Sequence, residues 1–128
     1  MELNQVADTL LSSTVVNTAT TGSKLTLYTV SAGKSCVVRR IVVRNPSAPC
    51  ANCTVFAFGF TVSSGTVGDW KASLSMANLT TATTGFLTYD LVTSTQAVIG
   101  TATQVFGIWI GTSTATATVT VDVFGYLF

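Results

Sequence analysis

Histidine is absent from this chain, and charge of either sign is scarce: six Lys and Arg stand against five Asp and Glu, 9% of the residues, for a net charge of +1. Without imidazole the commonest general base is missing, along with every Ser/His or Cys/His nucleophile pair, so an enzyme is not expected. A net charge this close to zero provides no field to hold nucleic acid or an anionic membrane. Cysteine is sparse and odd in number. Cys36, Cys50 and Cys53 cannot all pair within the chain, and reduced thiols are the simplest reading. Cys50 and Cys53 have C-x-x-C spacing, but a structural zinc site wants four ligands and only Cys36 remains to help, so neither a metal nor a cofactor is expected. No apolar run approaches the roughly 20 residues that span a bilayer. The opening MELNQVADTLLSS carries Glu2 where a secretory leader would be basic, so the chain is expected to be made and used without secretion, with no membrane partner.

What the chain has in quantity is threonine, roughly a fifth of its residues, together with 48% hydrophobic content. Beta-branched side chains suit a pleated, half-buried surface. The clearest case is TATATVTVDVFGYLF, where Ala115, Ala117, Val119, Val121 and Val123 fall on one face and Thr114 to Asp122 alternate on the other. Similar runs occur at 14–19, 24–30, 36–44, 53–62, 86–92, 96–99, 104–111 and 115–127, separated by turn residues. These connections leave no room for crossover helices. The expectation is one all-β domain over 1–128: an antiparallel β-sandwich, jelly-roll-like, of about eight strands. Residues 1–13 are expected to form an extended N-terminal arm. Leu3, Val6 and Leu10 have helical spacing, but a segment this short makes a marginal helix by itself.

Gly33-Lys34-Ser35 resembles the end of a phosphate-binding loop. That motif needs Gly where Tyr28 stands and a helix where CVVRRIVV follows, so the segment is expected to be a turn. Five of the six basic residues lie between Lys24 and Arg44. Strict alternation places Arg39 with Val37, Ile41 and Val43, and Arg40 and Arg44 on the other face with Val38 and Val42. A strand apolar on both sides and charged on both suits an interface whose ion pairs are made by Arg. Asp90 and Asp122, on separate strands, could meet as a carboxylate pair, but read more simply as solvent-facing charges that discourage edge pairing. Phe56, Phe58 and Phe60 alternate inward as core. Trp109 faces away from Phe106, Ile108 and Ile110, with Gly107 and Gly111 on its own side leaving it room. Trp70 and Lys71 sit in the longest connection, Ser63 to about Gly85, which is expected to be a functional loop. Either Trp could anchor an interface or stack on a sugar.

The stretch LYTVSAGKSCVVRRIVVRNPS resembles a segment of many small virion proteins of tailed bacteriophages, and those proteins also close on an alternating strand ending near Gly-Tyr, as VTVDVFGYLF does. The chain departs from that pattern at Ser31, where Pro is common, and in its adjacent Arg39 and Arg40. The resemblance implies a jelly-roll-like sandwich that decorates or cements a phage capsid as a homo-oligomer, a trimer, bound to the major capsid protein or other virion proteins. It also admits a head-fibre, tail-fibre or baseplate module binding a receptor or glycan. The contact residues expected on this basis are Leu3, Val6 and Leu10 of the arm, Arg39, Arg40 and Arg44, Trp70 and Lys71, and Trp109.

Overall fold

The computed structural model describes residues 8–80, 84–91, 98–114 and 116–128. Among these there is no helix. The strands are β1 (Thr9–Asn17), β2 (Lys24–Thr29), β3 (Cys36–Arg44), β4 (Cys53–Gly59), β5 (Val62–Ser64), β6 (Val67–Gly68), β7 (Lys71–Leu74), β8 (Phe86–Asp90), β9 (Ile99–Gly100), β10 (Val105–Ser113) and β11 (Thr118–Leu127). They form an all-β sandwich of antiparallel sheets. The first sheet has the order β1-β11-β3-β8, with β9 also beside β3, and the second has the order β2-β10-β4-β7; β5 and β6 make a separate hairpin. From β1 to β4 and again from β8 to β11, successive long strands alternate between the sheets, which is the order of a jelly roll.

Alternation explains which side chains fill the space between the sheets. On β11, Val119, Val121 and Val123 are buried; on β10 Phe106, Ile108 and Ile110; on β4 Phe56 and Phe58. Each contributes about 1.5–3 kcal/mol by leaving water. The aromatic centre is ordered by ring geometry: Phe58 stacks on Phe106 with centroids 6.4 Å apart, and Phe56 meets Phe58 edge to face at 5.4 Å. Ser31 to Lys34 form the expected turn. The Lys34 N–H donates to Ser31 O at 3.2 Å, and Gly33 takes a φ of 75° that a side chain would resist.

Three expectations need correction. The arm does not extend to residue 13, because β1 begins at Thr9 and pairs with β11 along its length; nor is Leu10 helical. Leu3 and Val6 lie outside the described residues. Secondly, the connection after Ser63 is largely structure. The β5–β6 hairpin lies on the second sheet, β7 adds an edge to β4, and Trp70, Met76 and Leu79 are all buried. Close approach explains the glycines: a Cβ on Gly111 would meet Gly65 of the hairpin, and one on Gly107 would meet the stem of Lys24, so the space beside Trp109 is filled by backbone and by Lys24. Thirdly, β3 does not alternate strictly. The β3–β11 register slips between the Arg40–Phe124 and Val38–Gly125 pairs, leaving Arg39 without an opposite residue. This bulge turns Arg39 to solvent and lets Val38 join Ile41 and Val43 in the core, so none of the charged residues of β3 is buried between the sheets.

Candidate docking face

The outer face of the first sheet, turned away from the core, is built from four strands whose registers align its side chains in rows. Val15, Thr120, Arg44 and Phe86 form one row across β1, β11, β3 and β8. Ser13, Asp122, Val42 and Thr88 form the next, and Leu10, Phe124, Arg40 and Asp90 the third. Beyond the bulge, Tyr126, Val37 and Ile99 make a further row, in which Val37 is buried and Ile99 exposed. Four of its apolar side chains are far from buried: Val15 and Phe86 are each 68% exposed, Leu10 55% and Ile99 51%. An apolar cluster of this kind on a sheet face marks an interaction surface. A depression of about 400 Å³ opens at one corner, lined by Val42, Arg44, Asn45, Thr84, Gly85 and Phe86.

Two ion pairs are set among these apolar groups. Arg40 Nε donates to Asp90 Oδ1 at 2.6 Å, with both side chains about half exposed. Arg44 Nε donates to Asp122 Oδ2, also at 2.6 Å, while Ser13 Oγ donates to Asp122 Oδ1 at 2.6 Å. Asp122 is itself 7% exposed, walled in by its neighbours on the central strand. Burial pushes its carboxyl up, but the hydrogen bonds from Arg44 and Ser13 and the charge of Arg44 outweigh that and hold it below the ordinary carboxylate range. Both arginines and both aspartates are thus matched within the chain. Asp90 and Asp122 do not meet each other, and neither is a bare solvent-facing charge. The four cancel, so the face offers apolar contact and hydrogen bonds without a net field.

Of the residues expected at a contact, Leu10, Arg40 and Arg44 share this face, and Arg39 stands exposed beside it at the bulge. Trp70 does not reach the surface. It is 6% exposed, its ring lies edge-on to Phe58 and Phe106, and its Nε1–H donates to Val38 O at 2.8 Å. That bond fills a break in the sheet, because β8 covers β3 only from Arg40 to Arg44 and β9 only at Cys36 and Val37. The Leu91 N–H closes the other half of the break on Arg39 O at 3.0 Å. Lys71 lies on β7 of the second sheet, its Nζ 6.0 Å from the Trp70 ring centroid. Trp109 is half-buried on the outer side of the second sheet, opposite Lys24. Lys24 itself is a structural tie, its Nζ donating to Phe60 O at 2.7 Å and Val105 O at 2.6 Å.

Sequence reasoning missed Val15, Phe86 and Phe124. The alternation of FLTYD in β8 contained the signal for Phe86: Leu87 and Tyr89 pack against the core, which obliges Phe86 to face out. The thiols have no part in the face. Cys50 and Cys53 occupy a tight turn closed by the Cys53 N–H on Cys50 O at 2.9 Å, and all three cysteines are buried and free. Burial pushes Cys36 and Cys53 up to about 11, so both stay protonated at neutral pH. Among the described residues no three His, Cys, Asp or Glu gather as a metal site. No family model matches the chain, and no curated protein or solved structure matches it either.

Proposed function

We propose that this chain is a structural virion protein that docks on the coat of a phage capsid through the outer face of its first sheet, and that it performs no chemical step. The observation that carries this reading is the exposed apolar set Leu10, Val15, Phe86 and Ile99, arranged around arginines already neutralised by Asp90 and Asp122. The charge-poor sequence and the jelly-roll sandwich support it, as does the resemblance of the 27–47 and C-terminal segments to phage virion proteins. In this reading the protein assembles in the host cytoplasm and remains on the particle as an oligomer, a trimer being the stoichiometry the resemblance implies. Its partner is the major capsid protein or another virion protein.

The mechanism is linkage. A protein that binds only the assembled, expanded shell shifts the equilibrium toward that shell by an amount set by its affinity and free concentration. A contact of about 1,500 Å² per copy is of ordinary size for a specific interface, and association costs consume much of its apolar gain. Many copies then add. The test is to mix purified protein with undecorated expanded capsids, measure binding by co-sedimentation, and compare the heat resistance of the shells. Binding with a raised disruption temperature is expected, and Phe86→Lys should weaken it with folding intact because that ring is solvent-facing. Shells that neither bind the protein nor gain heat resistance would overturn the reading. The fibre-module alternative keeps only Trp109 as a stacking platform now that Trp70 is core; glycan binding lost in Trp109→Ala is what would favour it.

A further inference from the structure

Among the described residues the first sheet ends on β1, and part of the backbone there is unpaired. The Thr18 N–H donates to Ala117 O at 2.9 Å, opposite one another in the continuous register that runs from Ser13–Asp122 to Asn17–Thr118. In an antiparallel ladder, backbone groups that face the partner alternate with groups that face away. Thr18, Val16 and Thr14 therefore direct their N–H and C=O at β11, while Ser13, Val15 and Asn17 direct theirs away from the sheet. The Asn17 carbonyl is taken by the Thr20 N–H at 3.1 Å. Among the described residues, no partner is found for the main-chain groups of Ser13 and Val15. The nearby contact with β2 is made from the inner face by a side chain, Thr14 Oγ1 on Leu27 O at 3.5 Å.

The other edges are guarded and this one is not. β8 has five residues and ends in the Asp90–Arg40 ion pair. β7 has four, carries Lys71, and is bent at Ser73, whose φ is 56°. β2 carries Lys24 and breaks register against β10. β1 is nine residues long, TLLSSTVVN, with neither charge nor proline; its single bulge, at Leu11, leaves Ser13–Asn17 straight. A long, neutral, β-branched edge is a template for another strand, and natural proteins block such edges unless they are used.

We propose that two copies of this chain join at β1, by antiparallel pairing of Ser13–Val15 across a two-fold axis at Thr14. This register satisfies the free groups and no others: the Val15 N–H and C=O bond Ser13 of the second copy, and Ser13 bonds its Val15, making four hydrogen bonds. Thr14 faces its own copy as a cross-strand Thr pair, and no like charges meet. Val15, 68% exposed, lies beside Ser13 of the second copy on the outer face. The two first sheets become one, and their docking faces form a continuous surface, so the second contact with a shell is made at high effective concentration. The contact pairs copies two by two; in a trimeric assembly it links one trimer to the next.

The experiment is sedimentation of the full chain over a range of concentrations, with amide exchange read residue by residue. Reversible pairing is expected, with the Ser13 and Val15 amides slowing as concentration rises while Thr14 and Val16 are slow throughout. Val15→Pro removes an N–H that β11 does not use, and should weaken pairing roughly 30-fold by deleting two hydrogen bonds per pair. Should Val15→Pro not fold, Val15→Lys places two cations beside the axis and is expected to abolish pairing. A chain that stays monomeric with fast Ser13 and Val15 exchange would sink the proposal, as would an oligomer indifferent to both substitutions.

Discussion

Trp70 illustrates how much one side chain decides here. Among the described residues its indole N–H is the only partner found for the Val38 carbonyl in the break between β8 and β9, and the ring packs on Phe58 and Phe106. Trp70→Phe keeps most of the apolar volume but leaves a buried carbonyl unpaired, and should cost about 1–3 kcal/mol in denaturant unfolding. Thr103 carries strain of another kind. Its φ of 70° is unfavourable for a β-branched residue, yet its N–H is held by Val30 O at 2.9 Å in the turn before β10. Thr103→Asn suits that conformation and should raise stability by about 0.5–1 kcal/mol, measured as a higher unfolding midpoint with unchanged slope.

Among the elements, β11 and β3 form the spine of the first sheet, and their bulge is the device that keeps Arg39 out of the core. It depends on Gly125, where a Cβ would strike the Val37 carbonyl. Backbone cannot yield as a flexible side chain can, so Gly125→Ala is expected to cost about 3 kcal/mol, read by thermal unfolding. The same pair of strands sets the acid stability. Asp122 has a folded pKa below its unfolded one, so the unfolded chain takes up the proton first as pH falls. Its contribution is therefore complete above the ordinary carboxylate range near about 4 and is lost as pH drops through that range and below it. Thermal unfolding of the parent should show this acid loss, and Asp122→Asn should flatten it while lowering the plateau at neutral pH.

At the scale of the whole molecule, a nearly neutral sandwich presents one apolar face whose charges are matched internally. Docking through such a face should depend only weakly on salt, since few counterions are released. Binding to shells measured at low and at high salt should differ little. A steep fall with salt would mean either that the exposed Arg39 engages an acidic partner directly, or that Arg40 or Arg44 does so by leaving its intrachain aspartate.

Local pattern determined much of this protein's strand structure. The Thr/Val alternation of 118–127, the inward Phe56 and Phe58, the turn at Gly33 and the lack of helical periodicity after the opening residues are short-range facts, because side-chain direction in a strand follows from a period of two and needs no partner. What depended on partners was not legible. Arg39 escapes the core because β11 slips beside it; Trp70 is core because β8 and β9 leave Val38 uncovered; Val15 and Phe86, far apart in the chain, share a face because β11 and β3 lie between their strands. Strand order and register belong to the assembled sheets, and only the tertiary structure decides them, since the free energy of placing a strand resides in the neighbours it pairs with.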